Sequence, residues 1–170
     1  NLDGRLRHYS AFADINLGGI IEFALTNGVN RKTGRKVATE TGDPTTFETY
    51  EDFENAVKEQ LKYSVRICVK GSHIIDDICM DRIVPALSLS FRECVKNAKD
   101  YAWGGAKYNT GNGIILIGVA DLINSMEAIR DLVYDRKLVS MEDMVKALDA
   151  DFEGYEEIQK LCKESHKYGN

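Results

Sequence analysis

Apolar residues recur along this chain with the period of an amphipathic helix more often than with the alternation of a strand. Residues 14–27 form the first such stretch. Leu17, Ile20, Ile21, Ala24 and Leu25 fall at i, i+3, i+4, i+7 and i+8, the spacing of one buried helical face. Asp14 or Asn16 caps its start, and Gly28 stops it. From Asn30 to Pro44 the sequence is rich in Gly, Thr, Lys and Arg, has no apolar period, and reads as a surface loop. A longer helix is expected from Thr46 or Thr49, with Phe53, Val57, Leu61, Val65 and Cys68 as its buried stripe and a break or kink at Gly71. The pattern resumes at Ile74, Ile75, Ile78 and Met80 and ends before Pro85.

Residues 86–98 read as extended at first and helical at the end. Residues 104–113 carry four glycines in ten positions, which excludes a regular helix there. The apolar run Ile114 to Val119 fits a buried strand or the lead-in to a helix. Residues 120–135 follow a helical pattern with Ile123, Met126, Ile129 and Val133 on one side. Ser140 begins another helix with a weak capping-box pattern, burying Met141, Met144, Val145 and Leu148. A last helix covers Tyr155 to Glu164. No repeat, low-complexity segment or internal domain boundary is visible.

Composition narrows the class. The chain has 170 residues, 44% hydrophobic and 29% charged, which fits one globular domain or part of one. It contains neither an apolar run long enough to span a bilayer nor a leader, so a cytoplasmic setting away from membranes is expected. The net charge of -5, without a basic patch, argues against nucleic acid as a partner. Only two prolines favour long helices. Residue 1 is Asn rather than Met, and the expectation is a piece of a longer protein. Cys68, Cys79, Cys94 and Cys162 form no Cys-x-x-Cys pair and read as reduced thiols, three of them within apolar helical patterns. The acidic residues Asp149, Asp151, Glu153, Glu156 and Glu157 read as a solvated face and a helix start rather than a metal site.

Two segments offer chemistry. In the glycine segment, backbone N–H groups can approach a ligand, while Tyr108 and Asn109 present a hydroxyl and an amide. It matches neither a P-loop nor a dinucleotide fingerprint, and a tight structural turn is the competing reading. Near the start, His8 precedes a buried helix and is a candidate for contact with substrate, against the reading of an exposed or structural His. His73, Asp76 and Asp77 share helical spacing, which suits local ion pairing better than a divalent metal.

Six stretches, in order, resemble the pyruvate formate-lyase-like domain of glycyl radical enzymes. They are Asn16-Leu17 with Ile21 to Val29, Thr41-Gly42-Asp43-Pro44 with Phe47 and Tyr50-Glu51, and the turn Gly104-Gly105-Ala106-Lys107-Tyr108-Asn109. The others are Ala120-Asp121 with Ser125-Met126 and Ala128-Ile129, then Phe152 to Glu156, then Lys167 to Asn170. Any one is weak; six in order are specific, and they cover nearly the whole chain.

The resemblance implies an α/β fold: a mostly helical fragment of a ten-stranded barrel, with residues 1–170 forming part of the domain. It also implies two reactive elements outside this sequence, a cysteine loop upstream of Asn1 and a radical-carrying glycine beyond Asn170. No residue here is therefore expected to be catalytic, no metal or cofactor is expected on this segment, and the fragment alone is expected to be inactive. The full-length subunit would cleave, decarboxylate or form C–C bonds on a small carboxylate. The stretch from Arg5 to Asp14 looks somewhat closer to arylacetate decarboxylases and fumarate-adding synthases, with Arg5, Arg7 and His8 binding the carboxylate by charge-assisted hydrogen bonds. Tyr108 and Asn109 are the other expected substrate contacts. The implied partners are a radical S-adenosylmethionine activating enzyme and a second copy of the full-length subunit. Isolated, the piece is expected to be poorly soluble or molten, because its apolar stripes are partly uncovered. Two other readings compete: a stand-alone helical scaffold without chemistry, and a phosphate-binding domain using Thr110 to Gly113 as an anion nest.

Overall fold

The computed structural model describes residues 6–7, 11–109 and 113–167. In order, it comprises β1 (Leu6–Arg7), β2 (Ala11–Asn16), α1 (Leu17–Leu25), α2 (Tyr50–Met80), α3 (Pro85–Ser88), α4 (Arg92–Lys96), β3 (Tyr108–Asn109), β4 (Gly113–Ile117), α5 (Val119–Ile129), α6 (Met141–Asp149) and α7 (Glu156–Glu164). β1 pairs with β3 in parallel, and β2 pairs with β4. The chain divides into two compact units, one holding β1, most of β2 and residues 65–115, the other holding 16–64 and 116–170.

The second unit contains most of the large buried side chains. Leu17, Ile20, Ile21, Ala24 and Leu25 of α1 are all buried, as their spacing predicts. The helix is shorter than expected, because residues 11–16 are extended and helix begins only at Leu17. Asn16 sets that boundary: its Oδ1 accepts from the N–H groups of Gly18 (3.0 Å) and Gly19 (3.4 Å), two donors the first turn leaves unpaired. Thr26 closes the helix, and Gly28 turns the chain away at φ 80°. A Cβ on Gly28 would stand 2.4 Å from the carbonyl oxygen of Thr39, so only glycine fits.

The loop from Asn30 to Pro44 is fastened from beneath. Gln60 is fully buried on α2, and its Nε2 donates to the carbonyl of Thr39 (2.8 Å) and to Thr41 Oγ1 (3.1 Å). Phe53, Ala56 and Val57 bury beside it. A second small cluster joins Leu132, Val139 and Met144, with Ile158 and Leu161 of α7 packed against it. On α6 the expected cap is present: Ser140 Oγ accepts from the Asp143 N–H at 3.0 Å, and Met141 and Met144 are buried.

Four local expectations are corrected. Gly71 does not break α2, which runs unbroken through it to Met80, since one glycine costs a long helix only about 1 kcal/mol. Residues 86–98 hold two short helices and no strand. Ile114–Ile117 does form a strand, but Ile115, Leu116 and Ile117 are each about half exposed rather than buried. The helix after residue 119 does continue to Asp135, but it widens from α to π geometry over Arg130–Asp135, where Leu132 is buried, and Ile123 on α5 is exposed rather than part of a buried side.

Among the described residues, no helix is long and apolar enough to cross a membrane, and no cluster of His, Cys, Asp and Glu could hold a metal ion.

Candidate functional site

The glycine segment opens with a turn built on one carboxylate. Asp100 caps the short 3-10 turn Tyr101–Trp103, its Oδ1 accepting from the Ala102 N–H at 2.8 Å. Its Oδ2 accepts from Ser88 Oγ at 2.7 Å and from the Val84 N–H at 3.2 Å. Ser88 Oγ in turn accepts from the Tyr101 N–H at 2.9 Å. Both ends of α3 are thus tied to the entry of the turn through two side chains. Trp103 adds a third tie, its Nε1 donating to the Met80 carbonyl at the end of α2 (2.7 Å). Phe91 stacks on Tyr101, with ring centroids 5.9 Å apart.

On this base the chain reverses through Gly104, at φ 77°, and Gly105. Gly105 lies so close to the preceding backbone that a Cβ would stand 2.1 Å from the carbonyl oxygen of Lys99. Ala106 is buried, and the chain then runs out as β3. Tyr108 is half exposed, and the Lys107 ammonium sits 5.2 Å from its ring centroid, a cation–π contact.

β3 brings together part of the expected site. In the parallel register Leu6 stands opposite Tyr108, and Arg7 opposite Asn109. Two stretches about a hundred residues apart in sequence, each singled out for substrate contact, are therefore neighbouring strands. Arg7, Tyr108 and Asn109 occupy that ladder. Arg5 and His8 lie outside the described residues, as do Thr110 to Asn112, where the anion nest was expected.

Cys94 and Cys162 are not poised as nucleophiles. Cys94 is buried, and burial pushes its thiol up, with Asp100 adding to the shift. Burial also raises the Cys162 thiol, against a smaller opposing effect of Lys167. The Ser88–Asp100 anchor escaped sequence reading. Its one signal is an Asp two residues before an otherwise unremarkable Ala102 N–H, an Asx pattern that many loops share.

A family profile described as pyruvate formate lyase-like matches residues 4–170. The trans-4-hydroxy-L-proline dehydratase of Clostridioides difficile is 39% identical over 158 residues, which are 92% of this chain and 20% of that protein. The 4-hydroxyphenylacetate decarboxylase glycyl radical subunit of Clostridium scatologenes is 26% identical over 92% of this chain and 20% of its own length. Among solved structures, the glycerol-bound B12-independent glycerol dehydratase of Clostridium butyricum superposes with a TM-score of 0.93 at 28% identity, covering 98% of this chain and 21% of that one. The chain thus spans about a fifth of the length of the relatives it matches. Its fold is that of a mostly helical piece of their α/β barrel.

Proposed function

We propose that this chain, which belongs to the pyruvate formate lyase-like family, is part of the catalytic subunit of a glycyl radical enzyme of the lyase type. The reaction we assign is removal of water, or a comparable small leaving group, from a small hydroxylated organic acid. One observation carries this reading: identity with a hydroxyproline dehydratase reaches 39%, against 26% with an arylacetate decarboxylase, over the same share of this chain. The similarity therefore favours elimination over the decarboxylation or fumarate addition suggested by residues 5–14.

The radical chemistry belongs to parts of the subunit outside this sequence, a thiyl-forming cysteine and a glycine that stores the radical. This segment supplies walls and contacts. The pairing of β1 with β3 supports a contact surface at their ladder. There Arg7 would take the substrate carboxylate by charge-assisted hydrogen bonds, and Asn109 and Tyr108 would position its hydroxyl. Such a chain acts with a radical S-adenosylmethionine activating enzyme, as a homodimer of large subunits.

The test is anaerobic. The full-length reading frame is expressed with its activating enzyme, the glycyl radical is read by electron paramagnetic resonance, and trans-4-hydroxyproline, glycerol and 4-hydroxyphenylacetate are offered in turn. Formation of the radical and dehydration of a hydroxylated substrate are expected. Arg7→Ala should raise KM for a carboxylate substrate on the order of tenfold to a hundredfold, equal to about 1.4–2.7 kcal/mol, with the radical signal intact. A frame that starts at residue 1 and stops after Asn170, or decarboxylation as the sole activity, would overturn the assignment.

A further inference from the structure

We propose that Asp100, acting with Ser88, is a positioning residue: it sets where Tyr108 and Asn109 stand against Arg7, and so how tightly a hydroxylated substrate binds. This rests on the reading of the β1–β3 ladder as a substrate-contact surface. The anchor and the ladder lie within one compact unit, the one that includes residues 65–115. Asp100 and Ser88 are not on the ladder themselves, so their effect on substrate passes through Tyr108 and Asn109.

The ladder is too short to hold its own register. β1 and β3 pair over two residues each, Leu6 with Tyr108 and Arg7 with Asn109. Strands of globular proteins usually run to about 5–6 residues, and a shorter pairing has few hydrogen bonds and no repeating buried face to lock it. A slip of one position would put Arg7 opposite Tyr108 and turn the side chains of the strand to the other face. Register therefore depends on what the chain is fastened to, and ahead of β3 that is Asp100.

Asp100 closes the turn with its backbone as well as its side chain. Its carbonyl accepts from the N–H groups of Trp103 (3.1 Å) and Gly105 (3.0 Å). Its carboxylate accepts from Ala102, Val84 and Ser88, and Ser88 Oγ relays the tie to the Tyr101 N–H. Five donors thus converge on one residue. Between Gly105 and Tyr108 stand only Ala106, which is buried, and Lys107. Three peptide steps reach at most about 11 Å, so slack in the turn passes to β3 with little absorbed on the way. Hydrogen bonds to a substrate weaken steeply once misaligned, so that slack is read as lost binding.

The test uses the full-length subunit, activated anaerobically, with whichever of trans-4-hydroxyproline or glycerol the wild type dehydrates as the probe. Asp100→Asn keeps an oxygen for the Ala102 N–H but puts an amide NH2 where Oδ2 accepts from Val84 and Ser88. Ser88→Ala removes the relay and leaves the carboxylate, and it decides the matter if the first variant fails to fold. In both, amides of residues 105–109 are expected to exchange about tenfold faster and KM to rise about tenfold, while kcat and the glycyl radical signal stay near wild type. Ser88→Thr, which keeps the hydroxyl, should restore the wild-type KM. An anchor that is only structural would lower radical yield and turnover together and leave KM unmoved, and that result overturns the proposal. Unchanged exchange over residues 105–109, or faster exchange at an unchanged KM, overturns it too. Failure of the underlying reading shows in the wild type alone, as a radical without dehydration of either probe, and the positioning role falls with it.

Discussion

At the residue scale, Gly105 and Tyr134 make opposite demands. Gly105 is fixed by space: a methyl group there would meet the Lys99 carbonyl at 2.1 Å, and the obstacle is backbone, which cannot swing aside. Gly105→Ala is expected to cost about 3 kcal/mol or more, read as a lowered denaturation midpoint of the full-length subunit, because the turn leading to Tyr108 must reopen. Stability within about 1 kcal/mol of wild type would mean that the turn adapts. Tyr134 has the reverse problem. Its hydroxyl is buried with no hydrogen-bond partner, and its ring meets Tyr50 edge-on at 6.0 Å. Burial first, and the Asp52 charge second, push its phenol up to about 12. Below pH 10 the phenol is neutral whether folded or unfolded and contributes nothing to pH dependence. Between about pH 10 and 12 the unfolded chain ionises while the folded chain does not, so stability falls as pH rises through that window. Tyr134→Phe should flatten this part of the curve and stabilise by roughly 1 kcal/mol at neutral pH, since it removes an unsatisfied polar atom. A destabilised Phe variant in a urea titration would show that the hydroxyl has a partner in the full subunit.

At the element scale, what was legible in the sequence divides by how local the signal is. The α1 face, the Ser140 cap and the exposed loop after Gly28 follow from residues within a few positions of one another, and the structure has them. α1 starts three residues after the position its pattern suggests, because Asp14 and Asn16 are both good caps. Only tertiary pairing of β2 with β4 decides for Asn16, by holding residues 11–16 extended. Gly71 fails to break α2 for the opposite reason: punctuation by glycine is a weak local preference, and a 31-residue helix overrides it. The candidate site shows the same division. Tyr108 and Asn109 were marked by their glycine context, and Arg7 by its charge near a polar start. Their adjacency depends on the parallel register of two-residue strands, which no local pattern encodes.

At the scale of the whole molecule, burial is uneven in a way that predicts how the isolated chain behaves. The unit of residues 16–64 and 116–170 buries Leu17, Ile20, Ile21, Phe53, Ile129, Leu132 and Met144. The unit that includes residues 65–115 buries chiefly small groups, among them Ser72, Ser88, Cys94, Ala102 and Ala106, and leaves Ile67, Ile74, Ile78, Ile83, Leu87 and Leu89 about half exposed or more. Each such side chain covered is worth roughly 1.5–3 kcal/mol, and a domain's net stability is only about 5–15 kcal/mol, so half a dozen uncovered residues decide whether a unit stands. The unit of residues 16–64 and 116–170 has a core of its own; the unit that includes residues 65–115 should depend on neighbouring chain to cover it. Expressed alone, the 170 residues should therefore keep slow-exchanging amides in α1, α5 and α6, while amides from Ile67 to Val95 exchange within seconds and the chain binds a hydrophobic dye. The two regions should separate in one exchange experiment at neutral pH. Uniform protection across both, with a single sharp melt, would show that the unit of residues 65–115 stands without the parent subunit, and the apolar surface on α2 would then need an explanation other than burial in a larger barrel.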